Sequence, residues 1–224
     1  MIPLKNDVQR DRPPLVTIAL IAANVMVFAW QLGVGPSSVD VFGAVPRAIA
    51  FSRTARALSP LPWPPLTLLT SMFLHGGFLH LGGNMLFLWI FGGNVEDRLG
   101  HVGYLVFYLL CGLCAGVTQV AADPASRLPM IGASGAIAGV LGAYFLLFPT
   151  SRVLTLVLVF FFVRLVYLPA VLFLGIWLLV QLLSLPAGMQ QGVAFAAHVG
   201  GFVAGLLFVW IFGGTRPRPR RFAY

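Results

Sequence analysis

Charge is what this sequence has least of. Only 9% of its 224 residues are charged, and six are acidic: Asp7, Asp11, Asp40, Glu96, Asp97 and Asp123. Soluble domains average about 25% charged residues. With 59% hydrophobic residues, a soluble fold of this length would leave too much apolar surface in water, so lipid is its natural solvent. All six acids lie outside the long apolar runs, which removes several classes of membrane chemistry. A two-aspartate intramembrane hydrolase has no candidate carboxylates. The zinc-binding pattern H-E-x-x-H does not occur in the sequence. A proton-coupled transporter usually carries a carboxylate within the membrane, and none is available.

Cysteine is nearly as scarce. Cys111 and Cys114 are the only two, and their C-x-x-C spacing can signal redox or zinc chemistry. No second ligand pair exists and no soluble βαβ unit surrounds them, so they read as small packing side chains on one helix face. Basic residues give a net charge of +8 but form no single face. They sit at the chain ends and between apolar runs, the distribution that orients membrane segments, so nucleic acid is not an expected partner.

Long apolar runs are abundant. A spanning helix needs about 20 mostly apolar residues, and six runs qualify: Leu15–Leu32, Leu69–Phe91, Val102–Ala122, Ile131–Phe148, Leu168–Leu185 and Ala194–Phe212. The expected fold is an all-α membrane protein, a six-transmembrane-helix bundle. The first run follows Lys5, Arg10 and Arg12 like a signal peptide, but it is long for one and lacks a small-x-small cleavage site. It reads as a retained span. A seventh stretch, Val153–Val163, is too short to span and is bracketed by Arg152 and Arg164. It is expected at the membrane interface or partly buried beneath the bundle. The chain thus divides into an N-terminal segment 1–14, a six-span core 15–213 and a basic tail 214–224.

Six spans put both termini on one side. That side carries ten lysines and arginines (Lys5, Arg10, Arg12, Arg98, Arg152, Arg164, Arg216, Arg218, Arg220 and Arg221) against four on the other (Arg47, Arg53, Arg56 and Arg127). The positive-inside rule then places both termini in the cytoplasm of a cell whose inner membrane holds the protein. The long outer loop, about 33–66, has several prolines and the aromatic anchors Phe51 and Trp63. Its apolar content suggests an interfacial position. The tail is expected to lie against anionic lipid headgroups. Small residues recur at four-residue spacing (Gly112 and Gly116, Gly135 and Gly139, Gly201 and Gly205), which lets membrane helices approach closely.

Among the polar residues within the spans, those that draw attention are His75, His80 and Asn84 in the second, Ser134 in the fourth, Gln181 in the fifth and His198 in the sixth. Buried without partners such groups are costly, so they are functional candidates. Spans two, four and six all enter from the outer side, so His80, Asn84, Ser134 and His198 reach a similar depth from three helices. A serine hydroxyl needs a base to become a nucleophile, and histidine is suited to that role. With no carboxylate in the membrane, the pair would be a dyad. His80 and Asn84 share a helix face at four-residue spacing and could donate to an oxyanion with the Ser134 amide. Gly132 and Gly135 would leave room for a substrate backbone. Taken singly, a serine in a membrane helix more often bonds its own backbone. His80 and Asn84 could equally tie helices together. His75, near the span entrance, reads as interfacial or accessory. Gln181 reads as a helix–helix hydrogen bond, and His101 as an ordinary turn residue.

These residues resemble a known family. Gly132-Ala133-Ser134-Gly135 is similar to the G-x-S-G motif of rhomboid intramembrane serine proteases, and Ala197-His198-Val199-Gly200-Gly201 to their catalytic-histidine helix. His75, His80 and Asn84 match H-x(4)-H-x(3)-N, and Glu96-Asp97-Arg98-Leu99-Gly100 resembles the cytoplasmic end of that span. The resemblance implies an intramembrane serine endopeptidase with Ser134 as nucleophile and His198 as base. It implies His80, Asn84 and the Ser134 amide at the oxyanion, and no cofactor. The implied partners are membrane lipids and substrates with a single transmembrane segment, cut near the outer leaflet, with a gate beside the fifth span. Two features depart from some bacterial relatives. No Trp-Arg pair occurs in the first loop, and Ala138 replaces a tyrosine that stacks on the histidine. Two other readings remain: a catalytically dead relative that binds membrane proteins, and a small channel or transporter using His75, His80 and His198 as a polar pathway.

Overall fold

A computed structural model of the chain describes residues 1–51, 63–159, 162–191 and 193–212. Strand β1 (Ile2–Asn6) precedes helix α1 (Leu15–Val34), and two short helices follow, α2 (Ser37–Phe42) and α3 (Pro46–Ala50). Next come α4 (Thr67–Thr70), α5 (Phe78–Phe87), α6 (Gly93–Leu99), α7 (His101–Ala122) and α8 (Ser134–Leu147). Strands β2 (Arg152–Val159) and β3 (Phe162–Pro169) lead into α9 (Ala170–Gln191) and α10 (Phe195–Phe212).

Helices α1, α7 and α10 are each long and apolar enough to cross a bilayer, and Ser134–Leu147 and Ala170–Pro186 are shorter apolar helices. Helices α5 and α6 are joined by a π-helical turn, Leu88–Gly92. Large apolar side chains such as Met26, Leu79, Leu183, Trp210 and Phe212 face outward, the arrangement lipid favours and water does not. The fold is an all-α membrane bundle with one small sheet attached at an end.

The centre of the bundle is α8, where every residue from Gly135 to Tyr144 is buried. It is apolar all round, as a helix enclosed by others must be. Glycine makes the enclosure tight. A Cβ added at Gly205 of α10 would lie 2.6 Å from the carbonyl carbon of Gly139 on α8. One at Gly142 would lie 3.0 Å from the carbonyl carbon of Phe202. One at Gly135 would meet Ala115 Cβ of α7 at 2.6 Å, and one at Gly139 would meet Cys111 Sγ at 2.6 Å. The α8 and α10 backbones therefore touch directly, α7 sets the Ala115 and Cys111 side chains against glycines of α8, and Cys111 is a packing residue as its surroundings predict.

Several sequence boundaries move. The run Leu69–Phe91 is not one helix. Residues 67–73 form α4 and a 3₁₀ turn, and α5 starts only at Phe78. Gly77 has φ +154°, a backbone state that breaks the helix between them, so His75 stands on a connection and only His80 and Asn84 on the helix. The fifth run loses Leu168 and Pro169 to β3. The outer connection is docked: Ala44 and Met130 exchange backbone hydrogen bonds of 3.0 and 2.8 Å, and Arg47 N–H reaches Ser126 O at 2.9 Å. Residues 52–62 of that loop and the tail beyond 212 lie outside the described residues.

In the stretch expected at the interface or partly buried beneath the bundle, the residues up to Val159 lie in β2, and Phe162 and Val163 lie in β3. They contribute to an antiparallel sheet of order β1-β2-β3. β-Branched Val153, Thr155 and Val157 suit a pleated strand, and Val153 and Thr155 are fully buried. The sheet lies at the end of α8 opposite Ser134, because β2 follows that helix by a short turn. Segment 1–14 is folded against the same end. Asp7 N–H donates to Arg152 O at 3.1 Å, and Arg152 N–H to Asp7 Oδ1 at 2.8 Å. Asn6 Nδ2 donates to Asn94 Oδ1 at 2.9 Å, and the Arg10 guanidinium lies 5.9 Å from the Trp89 ring centre.

Glu96, beyond the apolar part of the second run, caps α1 from across the bundle. Its carboxylate accepts the Val16 and Thr17 N–H groups, both at 2.8 Å, and the Thr17 hydroxyl at 2.7 Å. These are donors a helix start cannot satisfy internally, and the helix dipole favours negative charge there. His101 Nδ1 adds a contact of 2.6 Å. Burial pushes the Glu96 carboxyl up, but its hydrogen bonds outweigh burial and hold it below the ordinary glutamate range.

Candidate active site

Ser134 is the first residue of α8, preceded by a loop whose geometry only glycine satisfies. Gly132 has φ +121°, a conformation other residues adopt only under strain. A Cβ there would also fall 2.8 Å from His80 Nε2 and 2.9 Å from His80 Cε1. Gly132 N–H donates to Ser71 O at 2.8 Å, which anchors the loop to the 3₁₀ turn after α4. The amides of the first turn of α8, including that of Ser134, have no intrahelical acceptor.

His198 stands in the first turn of α10. That turn is held by α7, where Gln119 Oε1 accepts the Ala197 N–H at 3.2 Å. The glycine contacts between α8 and α10 begin one residue after Ser134 and three after His198. Helix spacing therefore sets the gap between the two side chains. His198 Nε2 lies 2.8 Å from Ser134 Oγ. Both are half-buried, shielded yet reachable.

His198 Nδ1 lies 2.8 Å from Gln181 Oε1 of α9. Gln181 is thus a helix–helix hydrogen bond as its sequence context suggested, and its partner is the histidine itself. The Trp177 and Phe195 rings each lie 6.1 Å from the imidazole centre. With Ala138 unable to stack, these groups hold the ring. Sequence reasoning did not assign this role to Gln181. The available signal was a polar residue in an otherwise apolar run.

On α5, His80 Nδ1 accepts the Gly76 N–H at 3.2 Å, so its proton sits on Nε2. That donor points toward Gly132, and the same position at Gly132 lies 3.6 Å from Ser134 Oγ. Asn84 follows one turn later on the same face. It is buried, and its Nδ2 has no partner among the described residues. The structure therefore brings Ser134, His198, His80 and Gly132 into one small space, with Asn84 one turn further along α5. Gly135 faces Ala115, which gives it a packing role and not a place in the substrate space. His75 packs behind His80, ring centres 5.1 Å apart. Its backbone is clamped by Gln31, whose Oε1 accepts the His75 N–H at 2.9 Å.

The Rhomboid domain family profile matches residues 62–215, more than half of the sequence. The chain belongs to the rhomboid family. Among its relatives, "Rhomboid protein 1, mitochondrial" of Saccharomyces cerevisiae is 29% identical over 214 residues, 90% of this chain and 54% of that protein. Human "Presenilin-associated rhomboid-like protein, mitochondrial" is 30% identical over 197 residues, 85% of this chain and 46% of the relative. "Rhomboid protease GluP" of Bacillus subtilis is 30% identical over 136 residues, 60% of this chain and 25% of the relative. The chain thus spans about half or less of the length of these rhomboid proteins. Family membership and the apolar helices together make it a membrane protein of rhomboid type.

Proposed function

We propose that this rhomboid protein is an intramembrane serine endopeptidase that works through a Ser134–His198 dyad. The observation that carries the reading is the 2.8 Å approach of His198 Nε2 to Ser134 Oγ, within hydrogen-bond reach for proton transfer. As Oγ attacks a substrate carbonyl, its proton passes to Nε2. The carbonyl oxygen becomes an oxyanion, and His80 Nε2–H, the Asn84 amide and the Ser134 N–H are the donors that would receive it. Collapse of the intermediate releases the amine half, which takes the proton from His198, and leaves an acyl group on Ser134. Water, deprotonated by His198, then attacks the ester, and the proton returns to Oγ as the carboxylic acid departs.

The substrates are membrane-anchored proteins with a single transmembrane segment. The bundle is read as six spans of the inner membrane with both termini in the cytoplasm. Lys5, Arg98, Arg152 and Arg164 lie on elements, and Arg10 on the connection between β1 and α1, at the end opposite Ser134, which under the positive-inside rule supports a dyad near the outer leaflet and a cut on that side. Both dyad residues are present and in contact, which speaks against a binding-only relative.

The test uses purified protein in detergent, a fluorophosphonate probe and a model transmembrane substrate. Wild type should label and cleave. Ser134→Ala should do neither, and His198→Ala should fall to a similar level because nucleophile and base act as a unit. Cleavage persisting in Ser134→Ala sinks the assignment.

A further inference from the structure

A base that accepts a proton through Nε2 must carry its own proton on Nδ1. Something has to hold it so. The Gln181 amide makes two contacts that together fix its orientation. Its Nε2 donates to the Trp177 carbonyl at 3.3 Å, and its Oε1 lies 2.8 Å from His198 Nδ1. An amide oxygen only accepts, so Nδ1–H is the donor and the Nε2 lone pair faces Ser134 Oγ. A reversed amide would set its oxygen against the Trp177 carbonyl, acceptor facing acceptor, and aim NH₂ at Nδ1. That arrangement selects the other tautomer, with a proton on Nε2 that blocks transfer from serine. Gln181 is 8% exposed, so water competes little for either contact.

We propose that Gln181 is the positioning residue for His198, a neutral amide on a third helix that selects the imidazole tautomer able to accept the serine proton. The proposal rests on the protease reading above. Among the described residues, the groups facing the imidazole are Ser134 from α8, Gln181 and Trp177 from α9 and Phe195 from its own helix. None carries a charge. His80 is the titratable side chain that shares the site. A neutral acceptor avoids the cost of a carboxylate at membrane depth, and the imidazolium formed during the reaction keeps its Nδ1–H bond without a counter-ion.

The experiment measures the rate of fluorophosphonate labelling of Ser134 against pH in the purified full chain, for wild type, Gln181→Leu and Gln181→Glu. Histidine ¹⁵N NMR of the same samples reads the His198 tautomer without any activity, its signals identified by their loss in His198→Ala. Gln181→Leu should label roughly 10- to 100-fold more slowly, the loss expected for one buried hydrogen bond, and its His198 signals should move from the Nδ1–H form to a tautomer mixture. Gln181→Glu should recover most of the lost rate. The acid limb of its profile should move to higher pH, because a carboxylate favours the imidazolium. Wild-type rate with the Nδ1–H tautomer intact in Gln181→Leu overturns the proposal. If that variant does not fold, an unmoved acid limb in Gln181→Glu does so. Labelling of Ser134→Ala, by contrast, overturns the protease reading and leaves the tautomer result to be judged separately.

Discussion

Replacing Gly205 with alanine probes how the fold sets the dyad distance. Gly205 is seven residues beyond His198 on α10 and touches neither dyad residue. A Cβ there would lie 2.6 Å from the Gly139 carbonyl carbon and 2.7 Å from Gly139 Cα. These are backbone atoms, which cannot rotate aside. Carbon–carbon contacts settle near 3.5 Å, so α10 must move away from α8 by about 1 Å. The same displacement at the dyad would stretch the 2.8 Å contact to nearly 4 Å, past the roughly 3.2 Å limit of a hydrogen bond. Misplacement by about 1 Å can cost on the order of 10²-fold in rate, and overpacking costs about 1–3 kcal/mol of stability. Fluorophosphonate labelling reads the first, and thermal unfolding in detergent the second. The control is Gly175→Ala on α9, where a Cβ meets nothing within 4 Å and helix propensity favours alanine by about 1 kcal/mol. If Gly205→Ala labels at the wild-type rate with unchanged unfolding temperature, helix contact does not set the dyad spacing.

Three other outcomes are expected. Gly132→Ala should fold less stably and label far more slowly, since its φ and its approach to His80 both exclude a Cβ; labelling assays and unfolding temperature check both. Asn84→Ala should slow substrate cleavage by roughly 10²–10³-fold, the loss typical of one oxyanion donor, with labelling still detectable; an unchanged cleavage rate removes Asn84 from the site. The Glu96 carboxyl is held below its ordinary range, so its stabilising contribution is present above the unfolded-state value and lost as pH falls through the folded one. Unfolding temperature should therefore drop from neutral to acid pH in wild type. Glu96→Gln should lower it at neutral pH, by hydrogen bonds to charge worth about 1.5–3 kcal/mol each, and flatten the acid dependence; a variant as stable as wild type at neutral pH contradicts the capping role.

Composition and hydropathy are enough to name the solvent and most of the site residues. Scarce charge and long apolar runs allow only a membrane bundle, because burying or hydrating such a surface otherwise is too costly. Ser134, His80, Asn84 and His198 stood out because a polar group in an apolar run is expensive unless it has work to do. Segments whose pattern is ambiguous were not legible. An apolar run of about ten residues suits a strand or a buried helix alike, and pairing of Arg152–Val159 with residues 2–6 on one side and with Phe162–Pro169 on the other is what made it a strand. The distances and the orientation of the base came from packing. Gln181 lies on a different helix from His198, 17 residues away, and no local pattern says that its amide oxygen, rather than its nitrogen, faces the ring. That choice depends on the Trp177 carbonyl one turn back on α9 and on His198 arriving opposite the amide, which happens only once α9 and α10 have packed.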